Sequence, residues 1–253
     1  MSSTVDPLVS RILRLQVALM ACRERLRERT DSEALHDLRT SVRRLRSLLR
    51  PLRDVPGVGR LEQAAKAVGE LTTPLRDREV LAAQLLARDY PTAAHKRLRQ
   101  MARAYPLVAD SPQLLLLMAV LDAFPQFIRA AQRQHVLSGL NKKLERHLDK
   151  QAKKLRRALA DPAHDRHRLR LLIKRLRYCT EAYPEQSRLR ASIVWQLKKA
   201  QGALGDWHDH WQWLSQAEQQ ADLADCVPSW QMSLHRTEQK ADRVLDSLAR
   251  SMR

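Results

Sequence analysis

Glycine is scarce, with six residues in a chain of 253. Aromatic residues are sparse too, at two Phe, five Trp and four Tyr, so the stacking platforms that readers of single-stranded nucleic acid need are few. The three cysteines, Cys22, Cys179 and Cys226, are odd in number, far apart and form no C-x-x-C pair. That spacing argues against a disulfide framework and a thiolate zinc site, and fits a reducing cytoplasm. No apolar run is long: "LLLLMAVL" at 114–121 stops at Asp122, well short of the roughly 20 residues a bilayer span needs. It is read as a buried helix, and no membrane partner is expected. The N-terminus sets Asp6, Pro7, Arg11 and Arg14 ahead of any apolar run, unlike the core of a signal peptide. Acidic residues are also in deficit, 28 Asp and Glu against 46 Lys and Arg, for a formal net charge of +18. Such a chain repels itself unless polyanions gather around it. Charge alone allows nucleic acid, anionic membrane, acidic protein or an inorganic phosphate polymer.

What is abundant favours helix. Leu, Ala, Arg, Gln and Lys dominate, and apolar residues recur at three and four positions almost throughout, which predicts an all-α protein. "TDSE" at 30–33 matches a capping box, and "DP" at 161–162 offers an N-cap followed by a proline in the first turn. Breaks are expected at 51–59, 72–74, Tyr90-Pro91, Tyr105-Pro106, Ser111-Pro112, Tyr183-Pro184, Gly205-Asp206 and Val227-Pro228. About ten helices of ordinary length result.

Set side by side, "HDLRTSVRRLR" from His36 and "HRLRLLIKRLR" from His167 both read H-x-L-R-x-x-apolar-(R/K)-R-L-R, 131 residues apart. Each leads into a further stretch, "LEQAAKAVGELTTPLRDREV" from 61 and "IVWQLKKAQGALGDWHDHW" from 193, read as a helix pair. In both, a turn-like step precedes an acidic residue, Asp77 or Asp206. The same offset sets the basic helix at about 137–160 opposite 6–29. One domain over 1–253 is therefore expected, built by internal duplication from a bundle at 6–131 and another at 137–253. The two bundles would be pseudo-symmetric and antiparallel, with a basic cleft or pore between them.

At 100° per residue, His36, Arg39, Arg43 and Arg46 fall within a sector of about 80°, with Arg50 and Arg53 extending it and Arg44 beside it. Leu38, Val42, Leu45, Leu49 and Leu52 fill the adjoining sector, so packing would aim the charges. His167, Arg170, Lys174 and Arg177 repeat the pattern, with Arg175, Tyr178 and Glu181 on or near the same face, and Lys198 and Lys199 add a basic pair. A third stripe advances by roughly one helical turn through Lys143, Arg146, Lys150, Lys153 or Lys154, and Arg157. A single charged stripe is as readily a plain solvated face. Recurrence, and the cost of like charges one turn apart, favour a polyanion instead.

Arginine forks and lysine point charges in rows suit a long, regularly charged ligand. Base reading is disfavoured because only Tyr178 sits beside a basic motif, and duplex DNA held by its phosphates is the second choice. Three motifs then carry a resemblance over nearly the whole chain. They are His36-Asp37-Leu38-Arg39 with Arg43-Arg44-Leu45-Arg46, His167 through "IKRLRY" and Glu181, and "LKKAQGALGDWHD". In that order they resemble the CHAD domain family, named for a histidine-containing α-helical repeat. The resemblance implies a two-bundle helical protein that binds inorganic polyphosphate in its basic cleft. His36, Arg39, Arg43, Arg46, His167, Arg170, Lys174, Arg177 and Lys198 stand at its motif positions, and Arg44, Arg50, Arg175, Tyr178 and Lys199 are included as their neighbours. Ala200 replaces the family's leucine before Gln201, and Glu79 stands where the family often has aspartate. The E-x-E-x-K run of a fused CYTH-type triphosphatase domain does not occur, so a stand-alone module is expected.

Catalysis is not expected. The basic neighbours of His36 and His167 would repel a divalent cation, and His208 and His210 in "WHDHW" diverge on a helix. Asp37, Asp77, Glu181, Asp206 and Asp209 lack a close acidic pair or a glycine-rich phosphate loop and are read as buttresses for arginines. Each motif histidine either donates to phosphate in its charged form or hydrogen-bonds between helices. The expectation is a binder of polyphosphate deposits in the cytoplasm, with no metal and no cofactor. Nucleic acid is the alternative partner, and a metal-dependent polyphosphate hydrolase the remotest reading.

Overall fold

Leucines spaced at three and four positions set the architecture. The computed structural model describes residues 5–161 and 163–252, and among them are nine α-helices and no strand, so the all-α class holds. The helices are α1 (Val5–Glu28), α2 (Ala34–Leu49), α3 (Val58–Leu86), α4 (Pro91–Ala109), α5 (Pro112–Arg133), α6 (Leu140–Leu159), α7 (Arg166–Ala182), α8 (Ala191–Ala217) and α9 (Val227–Ser251). Short 3-10 segments, of one turn at Arg50–Leu52 and Pro184–Gln186 and of two turns at Ala221–Cys226, join some of them. Two compact units divide the chain, the first ending at Lys143 and the second beginning at Leu144.

In the first unit α1 packs on α2, α4 and α5, and α3 packs on the same three. Leu38, Val42, Leu45 and Leu49 of α2, with Leu52 just beyond it, are all buried, as their spacing requires. Burying one such side chain stabilises by about 1.5–3 kcal/mol, whereas a like-charged pair one turn apart costs only about 0.2–0.5 kcal/mol. The core therefore decides how α2 lies, and its basic face follows. In the second unit a core that includes Leu155, Leu169, Ile173, Leu197, Leu204 and Leu245 joins α6, α7, α8 and α9. All three cysteines are buried and unlinked.

Entry into α3 turns on Gly57, whose φ of +79° is left-handed. A Cβ there would sit 2.8 Å from Cζ of Phe127. Both the backbone and the ring exclude a side chain.

Several boundaries differ from the sequence reading. Thr30 does not cap α2; Glu33 holds the cap position and makes no side-chain cap bond. Asp31, inside the expected capping box, is instead gripped through both oxygens by Arg25 at 2.8 and 2.7 Å and accepts the N–H of Glu33. Asp165, not Asp161, caps α7, accepting from the N–H groups of His167 at 2.8 Å and Arg168 at 3.3 Å. Pro162, the expected first-turn proline, lies outside the described residues. The breaks at 72–74, Tyr105-Pro106 and Gly205-Asp206 are absent, because these residues lie inside α3, α4 and α8. Each follow-on stretch is accordingly one long helix, not a pair. Around Pro74, Thr72 and Thr73 donate to the carbonyls of Val68 and Gly69 at 2.8 Å each, and Arg39 Nη1 adds a bond to Gly69. These bonds tie down the turn next to the one where the proline withdraws its own N–H.

"LLLLMAVL" is not wholly buried. Leu114, Leu117 and Leu121 face the core, while Leu115 and Leu116 are exposed, as are Leu13, Val17 and Met20 of α1. Successive residues on a helix point 100° apart, so a run of four leucines cannot all face one way. By length and composition alone, the stretch Pro91–Arg133 would pass for a membrane span. The Ser111-Pro112 break divides it into α4 and α5.

Candidate functional site

Along α2 the core leaves one basic flank. His36, Arg39, Arg43, Arg46 and Arg50 are half-buried and Arg44 is exposed. Arg39 turns inward on α3, donating through Nη1 to Gly69 O at 3.2 Å, Thr72 Oγ1 at 2.9 Å and Thr73 Oγ1 at 3.1 Å. Burial, followed by the charge of Arg43, pulls its pKa below the usual arginine range even though Asp77 and Glu79 act in the opposite sense. Behind it, Glu79 accepts from Arg76 at 2.7 Å and from the Tyr105 hydroxyl at 2.6 Å. At the far end, Glu62 meets Arg53 at 2.7 Å and Arg46 at 3.6 Å. Burial would raise the Glu62 carboxyl, but the hydrogen bond from Arg53 and the charges of Arg53, Arg46 and Arg50 outweigh it and hold the pKa low. The Nε of Arg46 is buried with no hydrogen-bond partner, an orphan donor on this flank.

The α7 flank of the second unit is built differently at its start. The His167 ring packs against Trp207 at 4.6 Å, Trp211 at 5.0 Å and His208 at 5.4 Å between centroids, all three from α8. Arg170 and Lys174 lie one and two turns further along α7 and are half-buried, while Arg175 is exposed. Arg177 is more committed: its Nε donates to Gln201 at 2.8 Å, Nη1 pairs with Glu181 at 3.0 Å, and the guanidinium covers the Tyr178 ring at 4.3 Å. Tyr178 is itself buried. On α8, Lys198 and Lys199 are exposed, and Lys199 Nζ lies 5.2 Å over the ring of exposed Trp195.

The third stripe lies on α6. Arg146, Lys150, Lys153, Lys154 and Arg157 are exposed, above buried Leu148, Ala152, Leu155 and Ala158. Lys143 is half-buried with Nζ 3.3 Å from Asp54.

Acidic residues mainly brace cations: Asp37 holds Arg25 at 2.8 Å, Glu181 holds Arg177 and Asp206 holds Lys240 at 2.8 Å. Among the described residues no three His, Cys, Asp or Glu side chains gather as a metal ligand set. His208 turns toward α7, while His210 bonds the Asp206 carbonyl through Nδ1 at 2.7 Å and meets Trp213 at 4.8 Å.

Sequence reasoning missed the aromatic side of this surface. Tyr178 is buried, whereas Trp195 is exposed with Lys199 over its ring and Trp211 is exposed against the His167 ring. The signal was present: Trp211 stands three residues after His208 and four after Trp207 on one helix, so its ring neighbours both.

The family model of the CHAD domain matches residues 11–218, most of the chain. A solved structure, the crystal structure of the CHAD domain from the plant Ricinus communis, is similar with a TM-score of 0.74 at 23% identity, covering 99% of this chain and 91% of that one. At that identity the likeness is one of fold. No curated protein matches the chain.

Proposed function

This chain belongs to the CHAD domain family, and from that premise we propose that it binds inorganic polyphosphate on the basic flanks of α2 and α7. The observation that carries the reading is cation crowding on two helices with one sequence pattern. Arg39 is pushed down by burial and Arg43, and His208, packed against α7, by burial and then Arg170, His167 and Lys174. A row of phosphates would relieve that repulsion, and arginine and lysine donors at one-turn spacing suit it. The two flanks are taken as products of one duplication, each an anion-binding face in its own unit, with the α6 stripe as an accessory. The protein binds without catalysis and associates with polyphosphate deposits in the cytoplasm.

A second reading, nonspecific binding of nucleic acid, is favoured by exposed Trp195, with Lys199 over its ring, and exposed Trp211 against His167, since bases stack on such rings. One experiment separates the two: affinity for long-chain polyphosphate, duplex DNA and single-stranded DNA at matched phosphate concentration and near-physiological salt. Preference for polyphosphate supports the first reading, and equal or tighter DNA binding overturns it. Orthophosphate release with Mg²⁺ or Mn²⁺ would overturn the absence of catalysis.

A further inference from the structure

His208 is the residue on the α7 flank that the ligand set above leaves out. It lies on α8, three residues before Trp211, on whose ring it stacks at 6.0 Å and 12°, and it meets the edge of His167 at 5.4 Å. Its Nδ1 is buried and has no hydrogen-bond partner, yet the residue as a whole is only half-buried. A buried imidazole nitrogen without a partner is costly unless something else uses the ring.

Electrostatics explain the state in which it is held. Burial first, and then the charges of Arg170, His167 and Lys174, push its pKa down to about 4. Among the described residues no carboxylate figures among the charges that act on the ring. The Asp206 carboxylate of α8 is engaged by Lys240 of α9 at 2.8 Å. Asp242 and Glu238 of α9 serve Arg166, at 2.8 and 3.7 Å. With polyanion absent, His208 is therefore neutral throughout the physiological range.

A phosphate chain on Arg170 and Lys174 changes both causes at once. It cancels the cationic charge that opposes protonation and brings acceptor oxygens to the ring. Resting on the polyphosphate reading of this flank, we propose that His208 is a further polyanion ligand, one that takes a proton from solvent as the chain settles on α7. The protonated ring then donates an N–H to a phosphate oxygen, so capture of the chain is coupled to proton uptake.

Linkage sets the size of the effect. If phosphate returns His208 to the ordinary histidine pKa of about 6.5, affinity rises roughly tenfold between pH 7.5 and 5.5, with close to one proton taken up per bound site near pH 5.5. The test is calorimetric titration of the full chain with long-chain polyphosphate at pH 7.5 and 5.5, each in two buffers of different ionisation enthalpy. Wild type, His208→Gln and, as a control outside the ligand set, His210→Gln are compared, with helical circular dichroism as the fold control. Uptake and the tenfold gain should be lost in His208→Gln and kept in His210→Gln, while His208→Gln still binds at pH 7.5. Uptake that survives His208→Gln, or disappears only in His210→Gln, overturns the inference and leaves the polyphosphate reading standing. A wild-type protein that binds no polyphosphate at either pH overturns both.

Discussion

Arg166 and Asp242 meet in a two-pronged ion pair, Nε to Oδ1 at 2.9 Å and Nη2 to Oδ2 at 2.8 Å, that ties the first residue of α7 to α9. The hydrogen bond from Arg166 holds the Asp242 carboxyl below the usual aspartate range. A carboxyl lowered in the folded state adds stability above its unfolded pKa and loses it as pH falls through the folded one. Asp242→Asn should cost about 0.5–1 kcal/mol at pH 7, the scale of a partly exposed pair. Urea midpoints of variant and wild type should then converge as pH falls below the ordinary aspartate range and through the lowered folded-state pKa.

Arg39 serves the fold as well as any ligand. Its three bonds to Gly69, Thr72 and Thr73 predict that Arg39→Ala costs about 1–3 kcal/mol. Exposed Arg44→Ala should stay within about 0.5 kcal/mol of wild type. Thermal melts followed by circular dichroism separate the two.

Gly57→Ala should destabilise the first unit by about 1–3 kcal/mol, because a left-handed φ and the Phe127 ring both oppose a Cβ. Gly59, where a Cβ would meet nothing within 4 Å, should accept alanine at no cost. Chemical denaturation of the two variants gives the contrast.

Arg43, Arg170 and Lys174 changed together to Ala should weaken polyphosphate binding while leaving the helical signal intact. Each lost phosphate contact should flatten the plot of log affinity against log salt by about 0.7–0.9. An unchanged slope would remove these three side chains from the ligand set.

Trp211→Ala tests the second partner. If bases stack there, single-stranded DNA should lose about 1–3 kcal/mol of binding, whereas polyphosphate has no bases and should be held as before.

What the sequence made legible was periodic. The apolar sectors beneath α2 and α7 are buried as their spacing demands, and Leu38, Leu45, Leu169 and Leu176 all lie in cores. Helix ends were harder to read, because side-chain pairing competes with local caps: Arg25 holds Asp31, and the Thr30 hydroxyl donates to that same carboxylate at 3.1 Å while Glu33 takes the cap position of α2. Pro74 and Gly205 were misread for a related reason, since a breaker weighs heavily alone and little in a helix packed along its length. The motif helices were visible in the repeated pattern, whereas the role of His208 was not. Its neighbours on α7 come from 34 to 41 residues earlier in the chain, and no local spacing reports such a meeting.

The buried thiols make each unit its own chemical clock. Cys22 lies in the first unit, with its thiol pKa raised by burial, and Cys179 and Cys226 lie in the second. A thiol reagent can modify them only when the surrounding helices part. The order in which Cys22 and the later pair are labelled therefore records which half of the molecule opens first, and whether a bound anion keeps either half shut.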